Sequence, residues 1–122
     1  MTLIDPEGYV FTKTGYGKAR IAEATVSLGY LPSDIDSFKN TSLYELWPAK
    51  NYQQENPQIT DDTGRYAFLV PQGWYYLQVE ADGYKTYFGK PFEGSFGKGI
   101  HNNIEVKKEN IVEKLFRFIM NI

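Results

Sequence analysis

The stretch TDDTGRYAFLVPQGWYYLQVEADGY, residues 60–84, decides the fold of this 122-residue chain. Successive side chains of a strand point to opposite faces, so Tyr66, Phe68 and Val70 share one face, and Tyr75, Leu77, Val79 and Ala81 share a face of the next strand. These two apolar rows are expected to build the core. Between them Pro71-Gln72-Gly73 carries turn chemistry, a proline that presets φ and a glycine free to take positive φ, and the spacing predicts a β-hairpin. Asp61-Asp62-Thr63-Gly64 poses a question, because paired acids can be a site or a turn. We read a turn, in which an aspartate bonds locally to the backbone and the glycine reverses the chain; Asp82-Gly83 marks the next reversal in the same way.

Outward from this stretch the pattern stays β. YVFTK after Pro6-Glu7-Gly8 reads as a strand, broken at Gly15-Tyr16-Gly17, and in EATVSLGYL the residues Ala24, Val26 and Leu28 alternate with Thr25 and Ser27. LYELW is expected to be a further strand, and PAKNYQQENPQ a long polar surface loop. YKTYFGKPF reads as a strand interrupted near Gly89, GSFGKG as a loop, and IHNNIEV as the last strand. The end differs. Ile111, Leu115, Phe118 and Ile122 recur at helical spacing, flanked by Val112, Phe116 and Ile119, which predicts a short amphipathic helix.

Bulk composition bounds the functions. The size suits one domain with a single core, and aromatic residues reach 16% of an all-β composition. Thirteen basic against fifteen acidic residues, scattered along the chain, give no basic face for nucleic acid. The absence of cysteine removes disulfides, thiol nucleophiles and zinc-thiolate sites. MTLIDPEG is not a signal peptide, and no apolar run approaches the roughly 20 residues that cross a bilayer. The expectation is a cytosolic protein or an excerpt of a longer exported one.

DDTGRYAFLVPQGWYYLQVEADGY resembles the signature of the carboxypeptidase regulatory-like, transthyretin-like (prealbumin-like) and Cna B-type modules: Asp-x-x-Gly-x-Tyr-x-Phe, a Pro-x-Gly turn, an alternating strand, then Gly-Tyr. GYVFTKTGYGKARIAEATVSL is similar to the opening of that group, and IDPEGYVF, LW and NYQQENPQITDDTGRY to a subset found in large bacterial surface and secreted proteins. The resemblance covers about residues 4–106. It implies a seven-stranded Greek-key β-sandwich over residues 1–106, located extracellularly or at the cell surface; residues 107–122, the helical tail, lie outside the resemblance. It also implies a spacer, stalk or accessory module, whose partners are neighbouring domains of the same polypeptide; that the chain is not an enzyme is expected from the residues weighed below. Fold analogy names no single activity.

Each chemical candidate competes with a structural reading. Some Cna B-type modules carry a lysine–asparagine isopeptide bond, but alignment by the flanking motifs puts Phe11 at the lysine position and Val79 at the acid, so Lys13, Glu80 and Asn103 read as solvated polar residues. Hydroxyisourate hydrolases of the same superfamily use histidines and an arginine segment; TDDTGR imitates that segment through Thr60 and Arg65, yet His101 is the only histidine, and proton transfer needs a second group to orient it. No catalytic residue and no cofactor is therefore assigned. Asp34 and Asp36 could converge with Asp61 and Asp62 on calcium, which wants roughly six to eight oxygens, but turn chemistry explains both pairs and no metal site is assigned.

Trp74 and Tyr76 face away from the core row, and with Trp47 and Tyr52 they are the residues for a platform that stacks a glycan or anchors a protein ligand; cover by a loop, the tail or a neighbouring module is the competing reading. The tail has three readings: packing on the sandwich, self-association through Ile111, Leu115, Phe118 and Ile122, or a membrane interface. With two basic residues in the helix, docking on protein is preferred over a membrane.

Overall fold

The computed structural model describes residues 6–32, 35–94 and 100–121, and within them eleven strand segments form two sheets. The first sheet is organised on β1 (Pro6–Thr14). Its first half pairs with antiparallel β6 (Arg65–Ala67) and parallel β10 (Ile100–His101), and its second half with antiparallel β2 (Gly17–Arg20) and parallel β11 (Ile104–Glu105). Glu7 lies opposite His101 and Val10 opposite Ile104, so β10 and β11 keep one register and are two pieces of one strand. The ladder opens between them, where the Asn103 side chain accepts from the Tyr9 N–H at 3.2 Å and the Asn102 carbonyl accepts from the Tyr66 hydroxyl.

The second sheet is organised on β3 (Thr25–Tyr30) and β7 (Gly73–Glu80), antiparallel from Thr25 opposite Glu80 to Tyr30 opposite Tyr75. β4 (Glu45–Leu46) and β5 (Gln58–Ile59) flank β3, and β8 (Tyr87–Phe88) and β9 (Phe92–Gly94) flank β7. The expected strand at LYELW is thus short, preceded by a 3-10 turn over Thr41–Leu43; the expected break at Gly89 is present between β8 and β9.

Residues 60–84 do not make the expected hairpin. β6 belongs to the first sheet and β7 to the second, so Pro71-Gln72-Gly73 carries the chain from one layer to the other. Gly73 takes no positive φ there, whereas Gly64 and Gly83 do, at 71° and 84°. The Tyr75 hydroxyl ties the corner by donating to the Pro71 carbonyl at 2.5 Å. The apolar rows are nevertheless where alternation puts them: Tyr66, Phe68, Val70, Tyr75, Leu77 and Val79 are buried together with Val10, Ala24, Val26, Leu28, Ile104 and Val106. Alternation reports which side of a strand faces the apolar layer; it is blind to which neighbour receives the backbone hydrogen bonds. Phe68, with no exposed surface, is a residue whose truncation to alanine costs about 3–5 kcal/mol.

PAKNYQQENPQ is not a plain surface loop. Ala49–Tyr52 is a 3-10 turn with Ala49 buried, and the Asn56-Pro57 peptide is cis. Its amide side chains then bond to both sheets. Asn56 accepts from the Leu28 N–H and donates to the carbonyls of Leu28 and Trp47, at 2.8–3.0 Å. Gln58 exchanges two hydrogen bonds with the backbone of Ala67, and Gln54 two with Leu69. These amides occupy the edge of β6 as a paired strand would, which protects an edge otherwise open to another chain.

The tail forms α1 (Ile111–Met120), capped by Asn110, which accepts from the Glu113 N–H at 2.7 Å while its amide donates to the Glu113 carboxylate at 3.0 Å.

Candidate interaction surface

Asp61 and its neighbours are a turn. One oxygen, Asp61 Oδ1, accepts from the Thr63 N–H at 2.8 Å and the Thr63 hydroxyl at 2.6 Å, and these bonds hold the carboxyl below its ordinary pKa. The turn is wedged against the middle of β1: the Val10 N–H donates to Gly64 O at 2.8 Å, Val10 O accepts from Ile21 at 3.0 Å, and a Cβ on Gly64 would lie 2.6 Å from Val10 O. Flanking contacts complete it. Arg20 Nη1 donates to Thr63 O at 2.8 Å while its guanidinium lies 3.3 Å from the centroid of Tyr9, and Thr60, buried, bonds Ala24 N and Ile21 O. Arg20 and β2 were not read from the sequence; the Lys-Ala-Arg alternation of residues 18–20 is the signal that marks them.

Other polar candidates are engaged separately. Lys13 is exposed and 3.8 Å from Glu105; Glu80 points out to solvent and accepts from Gln78; Asn103 serves the Tyr9 N–H. Phe11 and Val79, at the positions for the isopeptide lysine and acid, are buried apolar residues. Arg65 is exposed, and the His101 side chain lies outside the described residues, as do Asp34 and Ile122. Among the described residues no three His, Cys, Asp or Glu side chains are placed to hold a metal.

The four aromatics do not share one platform. Trp47 is 3% exposed and packs in the core, stacked on Tyr52 at 5.0 Å and edge-on to Phe68 at 6.4 Å. Alternation could not place Trp47, because the short β4 ends before it and the 3-10 turn at Ala49 begins just after. Trp74 and Tyr76 do lie on the outer face of the second sheet, half-buried. The segment before β4 folds over them: Phe38 stacks on Trp74 with centroids 4.0 Å apart and planes at 19°, and Tyr44 meets Tyr76 edge-on at 5.2 Å. The Tyr44 hydroxyl donates to the Phe38 carbonyl at 2.7 Å, which fixes the two covering rings to each other. Beneath, the Tyr76 ring lies on Gly29, where an added Cβ would come within 2.4 Å of it. Beyond this cluster the same face presents Leu46, Ile59 and Phe88, each more than half exposed.

No protein-family profile matches the chain, and no curated protein matches it. Solved structures do match. A pilus adhesin of Streptococcus pneumoniae, RrgA, aligns over 89% of this chain with 20% identity and a TM-score of 0.56. Catechol 1,2-dioxygenase of Acinetobacter radioresistens aligns over 92% with 16% identity and a TM-score of 0.55. A Pseudomonas aeruginosa protein for which carbohydrate binding has been suggested aligns over 88% with 16% identity, at a TM-score of 0.41 that carries no argument. The chain spans 16% of the adhesin and 54% of the dioxygenase. At these identities the likeness shows the fold alone: an all-β sandwich of two sheets with one short helix.

Proposed function

We propose that the chain is a non-catalytic structural or interaction module of a larger bacterial surface or secreted protein, built on the seven-stranded Greek-key scaffold of the transthyretin-like and Cna B-type group. The observation that carries this reading is the closure of the outer aromatic face by Phe38 and Tyr44. The aromatics that a ligand would use are already covered by the chain's own rings, Trp74 by a stacked Phe38 and Tyr76 by an edge-on Tyr44. The Asp61 carboxylate and the Arg20 guanidinium at the signature turn are likewise engaged within the chain, which supports a role without chemistry. A sandwich of this fold that makes up a small fraction of an adhesin supports the setting of a spacer among other domains. In that setting the module holds its neighbours apart.

The alternative is a glycan-binding accessory module, which requires Phe38 to leave Trp74. Melting the purified chain with calcium, with chelator and across a panel of oligosaccharides separates the two. A structural spacer shows one midpoint throughout; a rise with an oligosaccharide favours the glycan-binding alternative over this reading, and a rise with calcium identifies a metal-stabilised module.

A further inference from the structure

The outer face of the first sheet gathers basic residues that the sequence scatters. Residues opposite each other in a ladder share a face, and along one flank of β1 the register sets Arg65 opposite Tyr9, Arg20 opposite Phe11 and Lys18 opposite Lys13. Two residues of a strand rise about 7 Å, so Arg65, Arg20 and Lys18 form a row about 13 Å long, with Lys13 beside its far end. All four cations are exposed. Among the described residues only Lys13 has a carboxylate within ion-pair distance, Glu105 at 3.8 Å, and the Asp61 carboxylate at the rim is taken by Thr63. The tail does not cover the row. It is held at the turn after β7, where Glu113 meets Lys85 at 3.1 Å and Arg117 lies 3.7 Å from Asp82, and its apolar arc is turned to solvent.

The rings beneath the row are closed by the cations themselves. The Arg20 guanidinium lies 3.3 Å from the Tyr9 centroid and Lys18 Nζ 4.7 Å from that of Phe11, which is only 6% exposed although it faces outward. A nucleobase therefore finds no open ring on which to stack. At its Arg65 end the row opens on a cleft of about 480 Å³ lined by Tyr9, Arg65, Gln58, Ala67 and Asn103. Gln58 is spent on the backbone of Ala67, whereas Asn103 uses its Oδ1 on the Tyr9 N–H and so turns its amide N–H groups outward as donors. The cleft thus offers a guanidinium, an amide and a phenol. A planar layer of lipid headgroups cannot follow such a concavity, and the backbone N–H groups of an acidic peptide would meet donors instead of acceptors.

We propose that this face binds a linear polysaccharide bearing carboxylates on its sugars, with the carboxylates along Arg65, Arg20 and Lys18 and the sugar hydroxyls on Asn103 and Tyr9. Charge complementarity along a line selects a polymer with regularly repeated anions, and the neutral donors in the cleft select the hydroxyls between them. The proposal rests on the reading as an interaction module and places the partner on the sheet opposite Trp74, so Phe38 keeps its place.

Titration of the purified chain with polygalacturonate should show binding that salt weakens, and the fully methyl-esterified polymer, which keeps the sugars and loses the charge, should not bind. Arg65→Gln and Lys18→Gln should each weaken binding about three- to tenfold with the melting profile unchanged. Lys90→Gln, exposed between β8 and β9 of the other sheet, should leave binding as it was. Acrylamide quenching of the tryptophans should not change when the polymer is bound. No binding, equal binding of the ester, or equal losses in all three variants overturns the proposal and leaves the spacer reading standing. Tighter binding to single-stranded DNA or to anionic phospholipid vesicles also overturns it, in favour of nucleic acid or a membrane. Binding that opens the tryptophans to quencher places the polymer on the second sheet and overturns both readings.

Discussion

Asn56 does at residue scale what a strand does at element scale. Its amide satisfies a donor and an acceptor of Leu28 and the carbonyl of Trp47, joining β3 to the segment that carries the buried tryptophan. Asn56→Ala leaves these partly buried groups unpaired and is expected to lower stability by about 1–3 kcal/mol, read from urea unfolding at constant m-value. Asp61 gives the residue scale its pH dependence. Its carboxyl is held low chiefly by the Thr63 hydroxyl and N–H, so its contribution is present above the unfolded-state value near about 3.9 and is lost as pH falls through the lower folded value. Asp61→Asn should therefore flatten the acid limb of a plot of melting temperature against pH; an unchanged limb would assign acid lability elsewhere. The turn role of Asp61 and Gly64 was legible because local chemistry determines it. The role of Asn56 was not, since nothing local distinguishes an amide facing water from one facing a distant backbone.

Between elements, the sequence told faces and not neighbours. Tyr66, Phe68 and Val70 face the core as their alternation predicts, yet their strand pairs with β1 while the next strand pairs with β3. A proline-glycine turn serves a crossing between layers as well as a hairpin, and only long-range pairing distinguishes them. A peptide of residues 60–84 should accordingly lack cross-strand nuclear Overhauser contacts between the Phe68 and Leu77 segments, and finding them would restore the hairpin. The edge of β6 offers a second test at this scale. Gln54→Ala with Gln58→Ala removes four hydrogen bonds from Ala67 and Leu69 and uncovers that edge, so light scattering on mild heating should rise above that of the unmodified chain. The amides at 54, 56 and 58 alternate in sequence, a signal that a polar composition hides. The helix was legible as an element from its periodicity, but the direction of its apolar face was not, because that depends on Glu109, Lys85 and Asp82 from the sandwich.

At the scale of the whole molecule, two layers close on one core and the outer face of one layer is roofed by Phe38 and Tyr44. Burial of Tyr75 between the layers, with Tyr52 nearby as a smaller cause, raises its phenol above the ordinary value. The neutral form is the one the fold holds, so the Tyr75 contribution is full below about pH 10 and is lost as pH rises beyond it, an alkaline loss that Tyr75→Phe should reduce. The sandwich was legible from the turn-and-strand signature. The roof was not, since Phe38 lies in a polar stretch of turn residues and its stacking on Trp74 joins residues 36 positions apart in the chain. Because Trp47 is in the core, acrylamide quenching of the chain's tryptophan emission reports mainly on Trp74 and tests the closed face directly. Quenching should be weak in the unmodified chain and strengthen in Phe38→Ala. Strong quenching that Phe38→Ala leaves unchanged would mean the aromatic face is open, and the reading of a closed, non-catalytic module would fail with it.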